Sequence, residues 1–176
     1  MRIDKVSQIS TKKGDGGFSK NYSNEAFPKD DILFETLGAM DELSSLLGLT
    51  YHYAQYEKIK TIQNTLQACN SLIATNIETH KETYDKLRQI NELDINFLEE
   101  QEQELLSVKP LEPRFVLPGS EASLEGAYFD LARAVCRRTE RTLVRFVNTY
   151  NREDLIYVKK YLNRLSDLLF ILARNY

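Results

Sequence analysis

Arginine recurs at helical spacing through Ala132-Arg133-Ala134-Val135-Cys136-Arg137-Arg138-Thr139-Glu140-Arg141. At about 100° per residue, a helix here puts Arg133, Arg137 and Arg141 on one stripe with Glu140 at its edge. The opposite side, Leu131, Val135, Leu143, Phe146 and Val147, reads as a core face. Guanidiniums along the edge of a core helix call for an anion, either a carboxylate of a neighbouring helix or a polyphosphate. The planar fork of arginine donates two parallel hydrogen bonds to either group. Taken alone, the stripe also fits a solvated charged face.

Other stretches carry chemistry of the same kind. In Thr11-Lys12-Lys13-Gly14-Asp15-Gly16-Gly17 the glycines let backbone N–H groups converge on one anion, and the lysines add charge. This suits a phosphate cradle. It is not a Walker A loop, because no Gly-Lys-Ser/Thr precedes a helix, and a flexible tail is the plain alternative. Asp41 sits inside an apolar helical pattern, where aspartate is a poor interior residue. It is a candidate partner for one arginine of the Arg helix, whereas its neighbour Glu42 fits an ordinary exposed carboxylate. Asn163, Ser166 and Asp167 share a face with Phe170 one turn on. Phe115-Val116-Leu117-Pro118-Gly119-Ser120 is a rigid apolar loop just before the Arg helix. Such a loop can press a ring onto a flat ligand or simply cap a bundle.

Several classes are set aside. His52 and His80 both fall near helix ends without the glutamate spacing of a di-iron bundle site. There is no zinc spacing and no convincing Ser-His-Asp set. A net charge of -3 gives no general attraction to nucleic acid or anionic membrane. Cys69 and Cys136, the two cysteines, occupy apolar helical positions and read as reduced, buried thiols. With no apolar leader and no membrane-length run, the expected location is cytoplasmic.

The elements that must position these groups are helical. The 176 residues are 42% hydrophobic and 28% charged, and are expected to form one helical-bundle domain over residues 1–176. Apolar residues spaced by three and four predict a first helix from Ile32 to about Tyr53 (Leu33, Leu37, Met40, Ser44, Leu47). A second runs from Glu57 to about Thr79 (Ile59, Ile62, Leu66, Cys69, Ile73). A third runs from Glu92 to about Leu106, with Leu98 and Leu105 facing in. The Arg helix spans Glu121 to about Tyr150, and a fifth runs from Glu153 onward (Val158, Leu162, Leu165, Leu169, Leu172). The expectation is an all-α fold, an antiparallel five-helix bundle with a Gly-rich N-terminal loop. No convincing strand is visible, and residues 1–30 read as a flexible N-terminal segment.

These motifs, in this order, resemble the ATP:corrinoid adenosyltransferases of the propanediol-utilisation type. The matches are Thr11, Lys12, Gly14, Asp15 and Gly17; Lys29 twelve residues before Asp41-Glu42-Leu43; Phe115 to Gly119; Ala132 to Arg141; and Asn163 to Asp167. The resemblance covers nearly the whole chain. It implies a homotrimer with ATP and corrinoid bound between subunits. It implies a reaction in which the cobalt of cob(I)alamin attacks C5′ of ATP, expelling triphosphate and giving adenosylcobalamin. Thr11, Lys12, Gly14, Asp15, Gly17, Lys29, Arg137 and Asn163 then bind ATP, with Mg²⁺ held mainly through the ATP phosphates and not by a protein metal site. Arg133 pairs with Asp41, and Glu140 steadies Arg137 or the metal. Phe115 closes the lower face of the corrin, displacing the lower cobalt ligand, and Phe170 lies beside it. A flavin-type reductase and a B12-dependent enzyme are the implied partners.

The chain departs from the family near the corrin loop. Ser120 replaces the second glycine of Pro-Gly-Gly, the stretch from Pro118 to Arg133 is slightly longer than usual, and Asp130 stands where a histidine is common. These changes motivate an alternative, a non-catalytic ATP or corrinoid carrier or sensor on the same scaffold. A bundle used only for protein assembly would leave Arg133, Arg137, Asp41 and the Gly loop unexplained.

Overall fold

The computed structural model describes residues 3–10, 12–120 and 123–176. Six helices carry the fold: α1 (Ile32–Ala54), α2 (Lys58–Ile73), the short α3 (Lys81–Asp85), α4 (Glu92–Val108), α5 (Leu124–Tyr150) and α6 (Ile156–Asn175). Strands β1 (Phe18–Lys20) and β2 (Ala26–Pro28) pair antiparallel, with Ser19 opposite Phe27. Both this hairpin and α3 go beyond the helices expected from periodicity.

The stripes read from the sequence are the core. Ile59, Ile62, Leu66, Cys69 and Ile73 of α2 are buried, as are Val158, Leu162, Leu165, Leu169 and Leu172 of α6. One expectation fails on α5: Leu131 is 52% exposed. The buried stripe runs instead through Ala132, Val135, Cys136, Thr139, Leu143, Phe146 and Val147. Leu131 is one step, about 100°, off that line.

Local chemistry sets the helix ends. The Asp31 side chain accepts from Leu33 N–H and starts α1. Gln55 and Asn151, both left-handed, end α1 and α5. α2 stops at Ile73, short of Thr79, because the Asn76 side chain accepts from the N–H groups of Glu78 and Thr79 and turns the chain. α5 starts at Leu124, where Ser123 Oγ accepts from Gly126 N–H at 3.2 Å.

Hydrogen bonds fix the helix directions. Along α1 and α5 the bonded pairs are Asp31–Tyr150, Glu35–Arg145, Ala39–Thr139 and Glu42–Arg138, an antiparallel register. Along α5 and α6 they are Asp130–Arg174 and Glu140–Asn163, again antiparallel. Asp41–Asn70 and Ser44–Gln63 make α1 and α2 antiparallel. Glu99–Arg164 and Lys109–Arg174 share a sequence offset of 65, so α4 runs parallel to α6. Long helices therefore alternate in direction along the chain, and α6 is flanked by α4 and α5.

Candidate active site

The Gly loop and Lys29 meet. β1 and β2 return the chain so that Lys29 N–H donates to Gly17 O at 2.8 Å. The Lys29 ammonium then lies over Gly14, where an added Cβ would come within 2.8 Å of Nζ. Gly17 is left-handed at φ +80°, and Lys12 at φ 58°. Asp15 N–H and Gly17 N–H turn inward to Lys12 O and Gly14 O, so these amides hold the loop's own shape. The hairpin behind it is tied to the end of α2. Tyr22 N–H donates to Ala74 O, and Glu25 accepts from Asn21, Asn76 and Thr79. Burial works to raise the Glu25 pKa, but these donors and the nearby His80 outweigh it and hold it below the usual value. Thr11, also expected in the cradle, lies outside the described residues.

The Arg helix presents its cations individually. Arg133 lies over the Phe170 ring, 5.3 Å from its centroid. Arg138 is bonded to Glu42, and Arg145 reaches Glu35 at 3.4 Å. Arg137 is exposed and has no ion pair among the described residues. Glu140 accepts from Asn163 Nδ2 at 3.1 Å, so within the chain it is Asn163, not Arg137, that Glu140 engages. Arg164 continues the line, donating to Asn163 Oδ1 and to Glu99. Beside it, burial pushes the Glu102 carboxyl up to about 7; Asp167 and Glu99 add to the rise and Arg164 opposes it. The buried Glu102 Oε1 has no hydrogen-bond partner among the described residues.

Among the described residues Asp41 bonds to no arginine of its own chain. It is exposed and accepts from Asn70 Nδ2 at 3.0 Å. Of the two neighbours it is Glu42, which fits an ordinary exposed carboxylate in the sequence, that reaches the Arg helix. The two positions differ by one step around α1, which turns Glu42 to α5 and Asp41 to α2.

Phe115 is 84% exposed on the loop between α4 and α5. Phe170, on α6, lies between the guanidiniums of Arg133 and Arg174, the latter 5.4 Å away. Sequence reading marked Asp130 only as a departure from a family pattern. In the structure it is buried, paired with Arg174, and accepts from Gly119 N–H at 3.0 Å. An aspartate beside the buried Phe129 in mid-helix was the available signal.

These groups fall at separate places. Asp31 and Tyr150 bond where α1 begins and α5 ends, so Lys29 and the Gly loop belong to that end. Gly119 and Asp130 bond near the opposite end of α5. The rise of a helix from residue 130 to 150 is about 30 Å. One chain therefore holds its Gly loop and its Phe115 loop far apart.

Comparisons with known proteins agree on one family. The profile described as cobalamin adenosyltransferase matches residues 9–176. The human corrinoid adenosyltransferase MMAB is 37% identical, over 98% of this chain and 70% of its own length. A corrinoid adenosyltransferase of Citrobacter freundii is 32% identical, over 95% of this chain and 93% of its own. Among solved structures, a phenylalanine-to-alanine variant of a PduO-type ATP:corrinoid adenosyltransferase from Lactobacillus reuteri, complexed with cobalamin and ATP, superposes with TM-score 0.82 at 28% identity. That match covers 95% of this chain and 92% of the other. An arginine-to-lysine variant complexed with ATP gives TM-score 0.81 at 26% identity, covering 94% and 92%.

Proposed function

Since the chain belongs to the cobalamin adenosyltransferase family, and its reaction is the adenosylation of cobalamin with ATP as donor, we propose how its residues divide that work. The carbon–cobalt bond forms as the C5′–O bond breaks, and the electron pair leaves with triphosphate. Lys12, Lys29 and Arg137 neutralise that leaving group, and Gly14, Asp15 and Gly17 shape the loop that holds it. Thr11 joins this cradle. Asn163 orients the nucleotide, and the Asn163–Glu140 bond supports that role. Phe115 and Phe170 form the corrin-facing surface, with Phe115 excluding a lower cobalt ligand. Mg²⁺ fits as a companion of the triphosphate, where it offsets developing charge. Among the described residues no group of three or more His, Cys, Asp or Glu could hold an ion by itself.

The observation that carries the assembly is the separation of about 30 Å along α5 between the two loops. A complete site needs the Gly loop of one chain and the Arg helix and Phe115 loop of another. A homotrimer with sites between subunits provides this, and it gives Asp41 of one chain the Arg133 of the next. Free buried thiols at Cys69 and Cys136 suit a reducing, cytoplasmic setting. No helix among the described residues is long and apolar enough to cross a membrane. A flavin-type reductase would supply Co(I), and a B12-dependent enzyme would take the product.

Mixing two dead variants tests the shared site. Lys29→Ala and Arg137→Ala proteins are each expected to be inactive. Refolded together, they should recover activity in roughly a quarter of sites by random assembly. No recovery in verified hetero-oligomers would place both residues in one chain's site.

A further inference from the structure

Residues 109–120 bridge α4 and α5 without helix or strand, and they carry Phe115. Both ends of this bridge are tied to one residue of α6. At the start, Lys109 Nζ donates to the backbone oxygen of Arg174 at 2.6 Å. At the finish, Gly119 N–H donates to Asp130 Oδ2, and that same oxygen takes the Arg174 guanidinium. The Asp130 and Arg174 side chains are 7% and 10% exposed. Between the ties, Pro110, Pro113 and Pro118 restrict the backbone.

The loop does not rest on packed core. A cavity of about 260 Å³ lies between it and α6, lined by Pro110, Val116, Phe170 and Arg174 among others. Across this open space, the bonds of Lys109 and Gly119 tie the two ends of the loop to the bundle. A buried ion pair is a weak source of net stability, but removing one partner leaves the other charge buried and uncompensated. Arg174 also lies on Phe170, whose ring faces Arg133, so the tie reaches the Arg helix.

We propose that Asp130 and Arg174 form a positioning pair that holds the 109–120 loop, and through it Phe115, in the pose the corrinoid requires. The link to the corrinoid rests on the function proposed above; the link to the loop does not. Asp130→Asn keeps shape and an acceptor but removes the charge, and Asp130→Ala removes both.

Hydrogen–deuterium exchange of the 109–120 amides tests the tie itself. Asp130→Ala is expected to speed their exchange at least about tenfold while α2 and α6 stay protected. Should Asp130→Ala fail to fold, Asp130→Asn is measured instead, with a smaller rise expected. Unchanged exchange in the loop overturns the proposal. Turnover tests the consequence. Asp130→Asn should raise KM for cob(I)alamin or lower kcat about tenfold or more, with KM for ATP unchanged. In a Phe115→Ala background the same substitution should add less than about twofold, because Asp130 acts through Phe115. Additive losses, or an equal rise in KM for ATP, would reduce the pair to a general structural role and overturn the proposal. A wild-type protein that converts no cob(I)alamin overturns the proposed function, and loop exchange still decides the tie.

Discussion

Arg138 is bonded to Glu42, Arg145 to Glu35, and Arg133 lies on Phe170, whereas Arg137, like Arg141 one turn on, is exposed and has no ion pair among the described residues. A guanidinium in that state is available to a phosphate at no cost of breaking an existing pair. Arg137→Ala is expected to lower turnover about 100-fold or more while the thermal midpoint stays within about a degree. Steady-state rates and a melt on the same sample check both halves. A loss of activity matched by a loss of stability would make Arg137 structural. The sequence made the residue types at this scale legible, but not their partners. Asp41 and Glu42 are adjacent, and pattern alone favoured Asp41 for the Arg helix. The rotation of α1 against α5, set by Thr36, Ala39 and Thr139 in the interface, turns Glu42 there instead.

At the scale of elements, the Gly loop and the α4–α6 seam make separate predictions. In Gly14→Ala the new Cβ meets Lys29 Nζ at 2.8 Å and Cε at 3.0 Å. The lysine end is flexible and yields, so folding should survive while the ammonium leaves its place. ATP affinity is expected to fall several-fold, read by calorimetric titration, with the melt unchanged. Along the seam, Glu102 has an ordinary pKa of 4.5 when unfolded and about 7 when folded. A raised carboxylate pKa means the folded state binds the proton more tightly. Its stabilising contribution is full below about pH 4.5 and is lost as pH rises through about 7. Glu102→Gln should remove this dependence and be the more stable protein at pH 8, as urea titrations at pH 5 and pH 8 would show. A wild type whose stability did not fall relative to the variant would contradict the raised pKa of the half-buried Glu102. Long helices were legible because Ile59-to-Ile73 and Val158-to-Leu172 spacings are sustained over several turns. The hairpin was not, since Phe18–Lys20 and Ala26–Pro28 are too short to show alternation. Asn76, which stops α2, acts through a side-chain bond that spacing does not reveal.

Over the whole molecule, the arrangement is defined by what one chain keeps apart. Tyr150 with Asp31 marks one end of α5, and Asp130 with Gly119 marks the other. The order of the motifs along the chain carries no sign of this distance, because chain order is silent about which end of a helix a loop returns to. Sedimentation equilibrium is expected to give three times the mass of the 20.4 kDa chain. Asp41→Ala should weaken that assembly, since among the described residues of its own chain Asp41 bonds to Asn70 alone. A stable monomer with full activity would remove the need for a shared site. The most direct test of the central claim is anaerobic incubation of chemically reduced cob(I)alamin with Mg-ATP and this protein, followed by visible spectroscopy. Growth of the adenosylcobalamin spectrum, dependent on both protein and ATP, is the predicted result. ATP bound with no conversion would contradict it and leave a carrier or sensor on the same scaffold.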